Sequence, residues 1–150
     1  MTAGRGIVHS ERTPKEDRNS DLGINMHGVQ IWVGLPKDLE ECEPEFTHYP
    51  KDILPTVEIA KGLHAKLMIG EYGNVKSPVK IKSKTLFMDI LSKCDLKTKL
   101  SFDETELGLF LVSGKARVNG QDLVVDDLFV AQDPKNIDIE FFKDTRFVII

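Results

Sequence analysis

From Ala65 to the C-terminus, apolar and polar residues alternate in short runs broken by turn-forming residues, the period expected of half-buried β-strands. Lys66 to Glu71 predicts a strand that ends at the Tyr72-Gly73-Asn74 turn. Thr85 to Ser92 and Lys97 to Phe102 predict two more, on either side of a Cys94-Asp95 turn. Leu107 to Val112 is a continuous apolar run, as expected of a strand buried on both sides or packed in a sandwich core. Asn119-Gly120 is the strongest hairpin signal, because this pair tolerates the two positive φ values of a type I′ turn. It should join Ala116–Val118 to Gln121–Val125. Asp126-Asp127 turns the chain into Leu128–Ala131, and Ile137, Ile139 and Phe141 alternate with Asp138 and Glu140 before a last run, Arg146–Ile150. Eight or so short strands at such intervals predict an all-β protein, a β-sandwich or jelly-roll barrel.

The first third reads differently. Ile7–Glu11 and His27–Leu35 predict two strands, the second alternating Val29, Ile31 and Val33 with Gln30, Trp32 and Gly34 until Pro36 stops it. Arg12 to Asp21 is charged, lacks an apolar period and predicts a loop, either a pocket rim or a plain exposed connection. Residues 37–64 hold Pro44, Pro50, Pro55 and an acidic run, and predict a linker. The expected organisation is therefore 1–36, a linker at 37–64, and a β domain at 65–150.

Composition narrows the function. A chain of 150 residues with 41% hydrophobic and 29% charged residues can form a soluble globular domain. A net charge of −4 argues against direct nucleic-acid binding, which needs a basic face. The alternation of Lys80, Lys82 and Lys84 leaves two readings, a polyanion site or a solvated sheet face. Two cysteines outside any Cys-x-x-Cys spacing suggest neither a disulfide framework nor a zinc knuckle, and fit a reducing, cytoplasmic home. No apolar run reaches the ~20 residues of a membrane span.

The candidate chemistry lies at the start. If Ile7–Glu11 is extended, His9 and Glu11 share a face, placing an imidazole nitrogen beside a carboxylate. Such a pair suits a divalent ion of the iron, zinc, nickel or manganese kind, although the same spacing also occurs in surface pairs. The glycines flanking Arg5 permit a tight turn just before it. His27 is open to two readings, a substitute ligand or a capping or surface histidine. So is Trp32, as packing or as a stacking surface.

Three blocks carry a resemblance: Met-Thr-Ala-Gly-Arg-Gly-Ile-Val-His-Ser-Glu at 1–11, His-Gly-Val-Gln-Ile-Trp-Val-Gly-Leu-Pro at 27–36, and Glu-Pro-Glu-Phe at 43–46. In order and spacing they resemble the pirin family of two-cupin proteins. The resemblance implies a cupin-type jelly roll, with part of a first cupin and most of a second. It implies a metal site of three histidines and one glutamate in the first cupin, in which His9 and Glu11 match two ligands. The family's other two histidines form a His-x-His pair upstream, and this sequence contains none; segments that follow Ile150 in the family are also missing. For the intact family the resemblance implies an Fe(II)-dependent, or other divalent-metal, dioxygenase acting on quercetin-like flavonols, with Glu11 as ligand and candidate base. With two ligands, weak metal binding and impaired activity are expected here. The alternative is a non-catalytic binding or regulatory protein of the transcriptional-cofactor type, whose partner is another protein. A nuclear as well as a cytoplasmic home fits that alternative. Self-association through open barrel edges is a further expectation.

Overall fold

A computed structural model of the chain describes residues 1–18 and 27–150. The chain divides into two compact units, 1–48 and 49–150.

All the strands among the described residues lie in the second unit. These are β1 (Thr56–Ala60), β2 (Leu63–Ile69), β3 (Glu71–Tyr72), β4 (Val75–Lys76), β5 (Phe87–Ser92), β6 (Leu96–Leu100), β7 (Glu106–Ser113), β8 (Ala116–Val118), β9 (Gln121–Leu123), β10 (Leu128–Gln132), β11 (Ile137–Phe141) and β12 (Arg146–Ile149). One sheet runs β1-β2-β5-β12-β7-β10 and a second β6-β11-β8-β9, with β3 and β4 forming a small hairpin. Every pairing is antiparallel. The chain crosses between sheets at the β5–β6, β6–β7, β7–β8, β9–β10, β10–β11 and β11–β12 connections, which is the jelly-roll arrangement.

Period-2 alternation makes the two sheets a sandwich. In β7 the burial alternates strictly, with Leu107, Leu109 and Leu111 in the core and Gly108, Phe110 and Val112 half-exposed on the other face. The apolar run is thus packed on one side only. β11 contributes Ile137, Ile139 and Phe141 from the facing sheet. Phe141 meets Phe147 of β12 edge-to-face, with ring centroids 5.6 Å apart, so the two sheets clasp through an aromatic pair.

Turn chemistry supports this. Asn119 and Gly120 both have positive φ, 47° and 82°, and Val118 pairs with Gln121 across them. At the β7–β8 corner Gly114 has φ 85° and lies against Thr145, whose hydroxyl donates to the Lys115 carbonyl at 2.6 Å. Thr145 is fully buried, so this bond satisfies a hydroxyl that would otherwise be costly to bury.

Three expectations change. β1 and the start of β2 lie inside the stretch read as linker: Pro50 and Pro55 mask the alternation of Thr56–Ala60, which pairs with β2. The Lys80–Lys84 stretch forms no strand, and Lys84 instead donates to the Asp103 carbonyl at 2.8 Å and pairs with Glu104. Gln121–Val125 is cut short at Leu123, because Val124 and Asp127 are held in a turn: Val124 N–H donates to the Asp127 carboxylate at 2.9 Å.

The first unit, taken by itself, contains no strand among its described residues. Ile7–Glu11 and 27–35 join no ladder, contrary to expectation. A strand is stabilised by neighbours that accept its hydrogen bonds and cover its apolar face, and the alternation of Val29, Ile31 and Val33 records a preference without supplying those neighbours. Val29 and Val33 are exposed, and Trp32 is 92% exposed. Within the expected loop of 12–21, Lys15–Arg18 forms a single helical turn, α1; residues 19–21 lie outside those described. Cys42 is half-buried in this unit, and Cys94 is exposed in the other. Among the described residues, no helix is long and apolar enough to cross a membrane.

Candidate functional site

The 1–11 block is anchored by its first half. Thr2 N–H donates to the Glu45 carbonyl at 2.7 Å and Glu45 N–H returns the bond at 3.0 Å. Arg5 N–H donates to the Cys42 carbonyl at 3.1 Å, and its guanidinium reaches the Glu43 carboxylate at 2.7 Å. The intervening turn closes through Gly6 N–H and the Ala3 carbonyl. Gly4 sits at its apex with φ 50°, where a Cβ would run into the Cys42 carbonyl oxygen. Two of the three sequence blocks, 1–11 and 43–46, are therefore joined through backbone bonds and one ion pair. Sequence reasoning read them as separate; the spacing of about forty residues between partners carried no sign of it.

Beyond this anchor the chain runs out to His9 and Glu11, both exposed. The two side chains are the sequence-predicted metal ligands. Among the described residues no group of three or more His, Cys, Asp or Glu side chains converges. His27 and His48, in the same unit, are exposed as well, and His27 has a partner of its own.

In the second unit, charge gathers on the outer face of the four-stranded sheet. Register places Lys97, Glu140, Arg117 and Asp122 opposite one another on β6, β11, β8 and β9, one row across four strands. Lys97 lies 3.1 Å from Glu140, Arg117 3.7 Å from Glu140, and Arg117 2.7 Å from Asp122. Lys99 pairs with Asp138 at 3.4 Å one step along. Of these, Lys97, Arg117, Asp138 and Glu140 line an open hollow of about 370 Å³, together with Thr98, Gly120 and Ile139. Each charged side chain there already has an opposite-charge neighbour, which makes the row a support for strand pairing rather than a reactive centre.

The hydrogen bond from Arg117 holds the Asp122 carboxyl below its ordinary range, and the same bond raises the guanidinium. A carboxylate depressed in the folded state adds stability above its unfolded pKa and loses it as pH falls through the folded value. Asp122→Asn should therefore lower stability at neutral pH, converge on the parent chain at the acid end, and so flatten the profile below about pH 4, as urea titrations at stepped pH would read. An unchanged acid limb would remove the pair from the account.

On the outer face of the six-stranded sheet, Arg146 makes a bidentate pair with Asp89 at 2.7 and 2.6 Å. Bonding to Asp89 raises the guanidinium further above its ordinary value. The neighbouring Lys66 ammonium donates to the Lys51 and Leu54 carbonyls, which pins the segment leading into β1. These groups are committed to holding strands in place.

The chain matches no protein-family model. It is 36% identical to a pirin-like protein of Caulobacter vibrioides over 126 residues, 83% of this chain and 42% of that one. It is 31% identical to Pirin-1 of Arabidopsis thaliana over 121 residues, 80% of this chain and 39% of that one. Its fold superposes on the crystal structure of a quercetin 2,3-dioxygenase from Acinetobacter baumannii with a TM-score of 0.72 and 32% identity, covering 79% of this chain and 39% of that one. The chain thus spans about two fifths of the length of each of these three proteins.

Proposed function

We infer that this pirin-like cupin chain carries part of a metal centre of the dioxygenase type, with His9 and Glu11 as its contribution to the ligand set. The observation that supports the reading is the anchored turn: the Thr2–Glu45 bridge and the Arg5–Glu43 pair fix the backbone just ahead of these two side chains. An imidazole and a carboxylate together suit Fe(II) or another divalent transition metal. The substrate class on this reading is a quercetin-like flavonol, after the dioxygenase whose fold it shares.

Fit is incomplete. Two exposed donors leave an ion mostly hydrated, and the described residues bring no third donor beside them. No catalytic step follows from two ligands alone. Metal binding by this chain is accordingly weak, and flavonol turnover slight.

Nickel(II) titration of the chain, followed by calorimetry, should give a dissociation constant weaker than about 0.1 mM. Tight one-to-one binding that disappears in His9→Ala would overturn the incompleteness and direct attention to a further donor, His27 first.

A second reading is a non-catalytic binding protein, a regulator of the transcriptional-cofactor type that contacts another protein. The exposure of His9 and Glu11 and the paired state of the charges on the second unit favour it. Quercetin consumption by iron-loaded chain separates the two: turnover lost in Glu11→Gln excludes the scaffold reading, and none above free iron excludes the enzyme.

A further inference from the structure

The six-stranded sheet ends on β10, and among the described residues that strand has one neighbour, β7. Leu111 N–H donates to the Asp127 carbonyl and Asp133 N–H to the Thr105 carbonyl, both at 3.0 Å, while Phe129 and Ala131 stand opposite Leu109 and Leu107. Hydrogen-bonded and open pairs alternate along an antiparallel ladder. Asp127, Phe129, Ala131 and Asp133 therefore turn their backbone groups toward β7. Leu128, Val130 and Gln132 turn theirs outward.

Those same three residues present their side chains on the outer face, where Leu128 is 54% and Val130 53% exposed. The other edge strands of the two large sheets are guarded by charge: Glu58 on β1, Lys97 and Lys99 on β6, Asp122 on β9. β10, Leu-Phe-Val-Ala-Gln, has no charged residue. Natural edges are normally protected from further pairing by such charges, and this one lacks the device.

Charge at its ends selects the occupant. Asp126 and Asp127 precede the strand, Asp133, 3.9 Å from the exposed Lys135 ammonium, follows it, and the exposed Glu106 stands opposite Gln132. Pairing of β10 with a copy of itself about Val130 would set Asp127 of each chain against Asp133 of the other, a like-charge contact that disfavours the homodimer. We propose that β10 is a docking edge for an extended segment of another protein, one with aliphatic side chains at alternate positions and Lys or Arg at its ends. Main-chain bonds to Leu128, Val130 and Gln132 supply the pairing, and the carboxylates set the choice of partner.

The probe is a fluorescein-labelled peptide, Lys-Thr-Val-Thr-Val-Thr-Val-Lys, followed by anisotropy against the full chain. Saturable binding is expected, weakened several-fold with glutamate ends and at least tenfold by N-methylation of alternate amides. Val130→Pro should also weaken it at least tenfold, because that N–H takes no part in the β7 ladder and its loss leaves the sheet paired. Absence of saturable binding overturns the proposal, as does equal affinity for the N-methylated peptide. Concentration-dependent dimerisation of the chain in sedimentation, abolished by Val130→Pro, would overturn it in favour of a second copy.

Discussion

Phe147→Ala is expected to lower the unfolding free energy of the second unit by about 3–5 kcal/mol, the usual cost of emptying a buried aromatic site. Phe147 is 1% exposed and meets Phe141 edge-to-face across the sandwich, so truncation removes both core contacts and the pair that clasps the sheets. Collapse around the vacancy is resisted because Phe147 lies on a central strand, with β5 on one side and β7 on the other. A domain typically holds only about 5–15 kcal/mol in reserve, so the variant should be near its unfolding threshold at physiological temperature. Urea denaturation followed by far-UV circular dichroism checks it, since the ladders among the described residues lie in this unit. Trp32 fluorescence would report the other unit. Phe147→Leu should recover more than half of the loss. A cost below about 1 kcal/mol for the alanine variant would mean that this aromatic pair does not hold the sheets together.

Gly114→Ala is expected to cost about 3 kcal/mol, from two sources that the geometry separates. At φ 85° an L side chain is strained by roughly 1 kcal/mol or more. The added Cβ would also stand 2.6 Å from Thr145 Cα and 2.7 Å from its hydroxyl. Backbone cannot swing aside as a side-chain tip can, so the corner must shift and the Thr145–Lys115 bonds with it, adding about 1–3 kcal/mol. Gly73 provides the comparison: its φ is 57°, but a Cβ there meets nothing within 4 Å. Gly73→Ala should show the conformational strain alone. Equal losses for the two variants, measured as above, would show that the close approach at the corner is relieved without cost.

Much of the second unit was legible in the sequence because its strands are regular and locally punctuated. The alternation in 137–141 predicted β11, and Asn119-Gly120 predicted a hairpin whose two positive φ values the backbone adopts. What escaped were features that need a partner from elsewhere in the chain. Thr56–Ala60 follows two prolines and becomes a strand by pairing with β2. The Lys97–Glu140–Arg117–Asp122 row depends on registers that bring four distant segments together, and no local window contains more than two of its members. In the first unit the reverse holds: a sound alternation at 27–35 has no sheet to join among the described residues. His9 and Glu11 were proposed from the block that contains them, whereas the tie between that block and residues 42–45 was not legible, since backbone bonds leave no imprint on side-chain pattern.

Each compact unit carries one thiol, Cys42 in the first and Cys94 in the second. Because Cys94 is exposed and Cys42 half-buried, maleimide dyes can be attached in sequence, the outer position first. Native chain, without any engineered attachment point, thereby becomes a donor–acceptor ruler for how far apart its two halves sit in solution.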